Sequence, residues 1–305
     1  MTRTRLVLAT ALVTSALALT ACGDGGDPLA APADTPAATD TIVIGSADFS
    51  ESTLIAEIYA GALTSKGVKV SKKLNIGSRE TYLPGLEDGS IDLIPEYSGA
   101  LLTYLKKDAT EVSSEDVYAT LKTSVPAKLT VLEQSAAQDK DAVTVTKATA
   151  DKYKLTSIAD LAPVAKDLVL GGPPEWKTRV TGVPGLKKVY GLTFKSYKSL
   201  DAGGPLTINA LKSGQVQAAD VFSTDPNIAA ESWVALQDPK NLFAAQNVLP
   251  LVNTAKATPT VTTALNAVSA KLTTENLSAL MKEVSLDKKD PEAVAKEFLS
   301  TNGLG

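Results

Sequence analysis

The chain has 305 residues, 44% of them hydrophobic and 21% charged, with a formal net charge of -4. That balance allows a sizeable buried core and excludes the basic face that a nucleic-acid partner requires. There is no histidine and one cysteine, Cys22. The commonest general base, imidazole metal sites, disulfides and thiol catalysis in the body of the chain are therefore excluded.

The N-terminus sets location. Met1 to Arg5 is cationic, Leu6 to Leu19 is an apolar run, and Leu19-Thr20-Ala21-Cys22 resembles a bacterial lipobox. Residues 1–21 are thus expected to be a lipoprotein signal peptide, with Cys22 lipidated and the chain anchored to the outer face of the cell membrane. Residues 22–40 are rich in Gly, Pro, Ala and Asp and lack large apolar side chains, as expected of a flexible tether. No later stretch reaches the roughly 18 apolar residues of a spanning helix.

Folded structure should begin with a strand at Thr41–Gly45. Phe49 to Leu63 carries apolar residues at helical spacing, with Ser50 as its N-cap. A strand at Val68–Val70, a helix at Thr81–Glu87 and a strand at Ile91–Ile94 follow, the last stopping before Pro95-Glu96-Tyr97. Helices are expected at Ser114–Lys122, Thr207–Lys212, Ala264–Leu272, Thr274–Val284 and Pro291–Leu299. A helical turn at Ser157–Leu161 precedes a strand at Leu168–Leu170. Strands alternating with helices imply an α/β fold with parallel pairing.

One internal match bears on the site. LEDGSIDLIPEYS (Leu86 to Ser98) aligns without gaps with LKSGQVQAADVFS (Leu211 to Ser223), 125 residues further on. Each copy reads as a helix end, a glycine turn, a strand, and then an aromatic residue followed by serine. The physical reading is two similar α/β lobes, each presenting a ring, Tyr97 or Phe222, at the carboxyl end of a strand. Ligands of open α/β sheets collect there. No phosphate loop or Cys/His cluster is present. Acidic residues abound, but no pair is singled out for carboxylate catalysis, so no enzyme and no cofactor are expected.

Several segments in this order resemble the substrate-binding proteins of ABC importers for glycine betaine, choline, carnitine and related osmoprotectants. They are GSADFSES (Gly45 to Ser52), the LEDGSIDLIPEYSG block, PPEWKTRVTGVPGLKKVYGL (Pro173 to Leu192), LTINALKSGQVQAADVFSTDP (Leu206 to Pro226) and FAAQNVLPLV (Phe243 to Val252). The resemblance implies a two-lobe periplasmic-binding-protein type II (Venus flytrap) fold. Lobe I would be 41–138 plus 228–305 and lobe II 139–227, with crossings near Gln134–Asp141 and Thr224–Ile228. It further implies a monomer that hands a quaternary amine to a permease and its ATPase subunits.

In such proteins a cage of rings meets the diffuse charge of a trimethylammonium, which has no N–H to donate. Tyr97 matches a cage tyrosine, and Phe222 stands where relatives have another. Ala142 and Ile208 replace two more, while Ala47 and Ser52 replace a frequent lysine and glutamine. Arg179 matches a basic residue used on a ligand carboxylate or as a latch between lobes. Trp176 could supply a third ring, and Glu96 could sit beside the cleft or pair with an opposing cation. Phe49 and Ser50 open a helix whose N-terminus faces the cleft, where backbone N–H groups favour anions. Trp233 is expected to be packing.

Overall fold

The computed structural model describes residues 41–305; the expected signal segment, Cys22 and the tether lie outside the described residues. The chain runs through β1 (Thr41–Gly45), α1 (Ser50–Ser65), β2 (Lys69–Lys73), α2 (Arg79–Asp88), β3 (Leu93–Tyr97), α3 (Ser98–Leu105), α4 (Ser114–Ser124) and β4 (Leu129–Val131). It continues with β5 (Val143–Val145), α5 (Lys147–Tyr153), β6 (Val169–Gly172), α6 (Val183–Tyr190), β7 (Ser196–Ser199), α7 (Pro205–Lys212), β8 (Ala218–Asp220), α8 (Pro226–Ala230) and β9 (Val234–Ala235). Then β10 (Val248–Asn253), α9 (Pro259–Ser269), α10 (Thr274–Ser285) and α11 (Pro291–Thr301) follow.

The strands form two five-stranded sheets, ordered β2-β1-β3-β10-β4 and β7-β6-β8-β5-β9. Both follow one plan. Three strands are parallel, joined by helical crossovers, and a fourth strand enters antiparallel between the third and an edge strand. In the first sheet the entering strand is β10, and in the second it is β5. Each sheet is the middle of its own lobe, with apolar clusters on its faces. The spaced residues of α1, Leu54, Ile55, Ile58, Tyr59 and Ala62, are all buried.

Sequence signals account for much of this. Ser113, Thr258, Thr273 and Asp290 cap α4, α9, α10 and α11 by accepting backbone N–H groups of the first turn. The two copies of the internal match fold alike: α2 ends at Gly89 and α7 runs out at Gly214, with φ of +82° and +74°. This left-handed turn, which glycine adopts without a Cβ penalty, throws the chain back into β3 and β8.

Four expectations shift. Ser50 is not an N-cap; Phe49, extended at φ -137° and ψ 154°, holds that position, and Ser50 lies exposed in the first turn. The local side-chain bond comes instead from Ser52, whose Oγ accepts the Ala47 N–H at 2.9 Å. Second, α9 starts at Pro259, five residues before Ala264, because Thr258 caps it there.

Third, β3 does not stop at Ile94 but runs through Pro95 to Tyr97. Pro95 faces Pro250 across the β3–β10 ladder. The Pro250 carbonyl points the other way, accepting the Leu132 N–H at 3.0 Å. The two prolines therefore occupy a non-hydrogen-bonded pair, where neither missing N–H breaks that ladder.

Fourth, the chain leaves the second lobe later than residue 227. β9 pairs with β5, the Leu236 N–H donates to the Val143 carbonyl at 2.9 Å, and Phe243 packs in the core of the second lobe. The return crossing is at residues 244–247. There Gln138 bridges Asn247 antiparallel, and the Asp139 N–H donates to the Gln246 carbonyl at 3.1 Å. Ser223, just before the expected crossing at Thr224–Ile228, bonds the outgoing crossing instead, its N–H donating to the Lys140 carbonyl at 2.9 Å.

Candidate functional site

A cavity of about 280 Å³ lies between the lobes, walled by the ends of β3 and β8, the start of α1 and the crossings. Among the described residues four aromatic side chains line it, Phe49, Tyr82, Tyr97 and Phe222, and the rings of Phe49, Tyr97 and Phe222 cluster. Phe49 stands between the other two, its centroid 5.9 Å from that of Tyr97 and 5.1 Å from that of Phe222. Tyr97 and Phe49 come from the first lobe and Phe222 from the second, so the rings close on each other across the cleft. Gly203, at φ +65°, lets the loop before α7 pass the Phe222 ring, which a Cβ there would meet at 3.1 Å.

Beneath the rings sits Glu51, 2% exposed. Its Oε1 accepts the Tyr97 hydroxyl at 2.9 Å and its Oε2 accepts the Thr224 hydroxyl at 2.5 Å. One carboxyl thereby joins a ring of the first lobe to the residue two places past the ring of the second. Burial, and then the charge of Asp139, push the Glu51 carboxyl well above the usual carboxylate range. Asp139 is itself pushed up to about 6 by burial, although the Thr224 N–H and the Ser223 hydroxyl donate to it at 3.0 and 3.1 Å.

Six acidic side chains and two arginines line the cavity among the described residues. Both arginines are engaged by glutamates. Arg79 donates from Nε and Nη2 to Glu96 at 2.8 and 2.7 Å. Arg179, in the second lobe, donates to Glu80, in the first, at 3.2 Å from Nε and 2.9 Å from Nη2. Asp220, at the end of β8, is 1% exposed, and neither carboxylate oxygen accepts a hydrogen bond from any described residue. Burial first, then Asp141 beside it, push its carboxyl well up. The arrangement is a ring-walled, anionic pocket, suited to a cation.

Of the residues singled out in the sequence, Tyr97, Phe222, Phe49 and Arg179 line the cavity; Glu96, Trp176 and Ser50 do not. Glu96 is wholly buried behind it, accepting the Tyr82 hydroxyl at 2.8 Å and the Tyr97 N–H at 3.0 Å in addition to Arg79. Trp176, 1% exposed, stacks on Phe243 with centroids 6.1 Å apart in the core of the second lobe. Ile208 packs in that lobe as well. Asp139, Asp141 and Asp220 escaped sequence reading; the one local signal was an acid closing the apolar run before Phe222.

The description "substrate binding domain of ABC-type glycine betaine transport system" belongs to a family model that matches residues 40–301. The carnitine transport binding protein OpuCC of Listeria monocytogenes is 27% identical over 301 residues, 95% of this chain and 94% of that protein. The glycine betaine-binding protein YehZ of Escherichia coli is 27% identical over 280 residues, 87% and 92% of the two chains. A crystal structure described as a glycine betaine/carnitine/choline ABC transporter superposes with a TM-score of 0.68 at 27% identity, covering 86% of this chain and 99% of that one. A choline-binding protein solved with choline shares the fold, at a TM-score of 0.64 and 16% identity. The two-lobe fold is accordingly that of type II periplasmic binding proteins.

Proposed function

Because this chain belongs to the family of substrate-binding domains of ABC-type glycine betaine transport systems, we propose that it captures a small quaternary-amine osmoprotectant in the inter-lobe cavity and delivers it to an ABC permease. The observation that carries this reading is the set of three rings, Phe49, Tyr97 and Phe222, drawn from both lobes around one anionic space. A quaternary ammonium offers no N–H, and ring faces meet its diffuse charge best.

Binding rather than covalent chemistry is the proposed activity, with a monomer closing on its solute. Lobe I is 41–138 plus 247–305 and lobe II is 139–243, joined by the two crossings. Arg179 acts as a latch to Glu80, and Glu96 acts through Arg79. The LTAC motif supports lipidation at Cys22 and an extracytoplasmic, membrane-anchored location.

Calorimetric titration of the folded protein with glycine betaine, choline, carnitine and proline betaine tests the solute. Binding of at least one below millimolar concentration is expected; no binding by any of them refutes the reading. The anchor is tested separately, by radiolabelled fatty-acid incorporation into the full chain in a bacterial host, which Cys22→Ala should abolish.

A further inference from the structure

The three rings account for a quaternary head, but they leave Asp220 unexplained. A carboxylate 1% exposed is ordinarily paired or hydrogen-bonded. Both oxygens of Asp220 lack a donor among the described residues, and the side chain lines the cavity. Two nearby donor groups are turned elsewhere. The Tyr197 hydroxyl donates to the Pro173 carbonyl at 2.7 Å, and Arg179 has turned its Nε and Nη2 to Glu80.

The site is built to hold the acid there. Val143 faces Asp220 in the β5–β8 ladder, and the Val221 N–H donates to the Ala142 carbonyl at 3.0 Å, which brings Asp141 alongside. Gly172 on the neighbouring strand makes room, since a Cβ there would meet the Asp220 Cβ at 3.2 Å and the Tyr197 hydroxyl at 2.7 Å. Asp141 receives a bond from Gln246 Nε2 at 3.1 Å and also lines the cavity.

We propose that Asp220, with Asp141 beside it, is a subsite for a cationic nitrogen that retains N–H donors, a protonated amine, amidine or guanidine, so that the cleft accepts such cations as well as fully N-methylated ones. This rests on the reading of the cleft as a quaternary-amine site and widens the class of solute it takes. A tetraalkylammonium satisfies the rings but leaves both Asp220 oxygens without a donor. A nitrogen with two N–H groups satisfies both demands, its N–H edge on Asp220 and its apolar substituents against Phe49 and Phe222. The upward displacement of the Asp220 carboxyl by burial and by Asp141 agrees with a pair that holds a proton until such a donor replaces it.

The test is a methylation series without a hydroxyl or a carboxylate: n-propylammonium and its mono-, di- and trimethyl derivatives. Each is titrated calorimetrically into the wild-type protein, Asp220→Asn and Asp141→Asn. Asp220→Asn should weaken propylammonium at least tenfold more than it weakens the trimethyl compound, with intermediate members graded between. Asp141→Asn, at a half-exposed position, should show the same gradation at about threefold, and it carries the comparison if Asp220→Asn does not fold. An equal loss across the series, or no loss, overturns the proposal. Wild-type binding of glycine betaine or the trimethyl compound without propylammonium also overturns it, while the proposed function stands. If no cation or betaine binds, both fall.

Discussion

Arg179 and Glu80 join the two lobes through a two-point ion pair, with Nη2 2.9 Å from Oε2 and Nε 3.2 Å from Oε1. The pair spans the cleft from lobe to lobe. Burial raises the Glu80 carboxyl, but the hydrogen bonds from Arg179 and the Ser78 hydroxyl outweigh it and hold the group at about 2. The pair is partly exposed, so its worth is about 0.2–1 kcal/mol after solvent screening.

Glu80→Ala is therefore expected to weaken solute binding by about 1.4- to fivefold, since that range converts to small factors in affinity. Small-angle scattering of the solute-free protein should show a larger radius of gyration for the variant. The latch contributes fully above the ordinary carboxylate range, at about pH 4.3 and higher, and is lost as pH falls toward about 2. An unchanged radius would show that the pair does not hold the lobes together.

Among the rings, Phe49 should matter most for a cation, because it contacts both of the others. Phe49→Ala and Phe222→Ala are each expected to cost about 2- to 30-fold in affinity, with Phe49→Leu recovering little. Calorimetry with glycine betaine and choline reads this. Equal affinity for wild type and Phe49→Ala would remove the ring from the site.

The buried Arg79–Glu96 pair bears on stability. Glu96 is wholly buried and receives four hydrogen bonds, two of them from the guanidinium. Glu96→Gln leaves a buried charge without its counter-charge and is expected to destabilise by about 3 kcal/mol. The corresponding fall in Tm is about 6–12 °C, readable by calorimetry or circular dichroism. A Glu96→Gln protein as stable as wild type would show that Arg79 finds another partner.

Stability should also depend on pH in a way set by the pocket acids. Folding raises the Asp139 carboxyl to about 6 and raises Glu51 and Asp220 as well. A carboxyl raised on folding holds its proton more tightly in the folded state. Its contribution is complete below the unfolded value near pH 4 and is lost as pH rises through the folded one. The Tm of the solute-free protein should therefore fall between pH 5 and pH 7.5. Asp220→Asn should reduce that fall and raise Tm at pH 7.5. A parallel pH profile in wild type and variant would contradict the assignment.

Short-range signals made the lobes legible. The glycine turns at Gly89 and Gly214 and the two copies of the echo rest on local signals and fold as their residues suggest, although Ser50 did not cap α1. Non-local pairing was not legible. β9 is two residues long, and only its place beside β5 shows that the chain is still in the second lobe. Pro95 reads as a strand breaker in isolation; its tolerance depends on Pro250, 155 residues away. The same division holds at the site. Tyr97 and Phe222 follow from the echo, whereas Asp139, Asp141 and Asp220 converge only because a crossing segment pairs with β8 and its loop.

Glu51 holds the Tyr97 hydroxyl with one oxygen and Thr224 with the other. Alongside the Arg179–Glu80 pair, this side chain ties the facing walls at a set span, and it lies outside the cavity lining, like the screw of a caliper. A one-methylene change, Glu51→Asp, would reset the gap without altering any surface the solute touches.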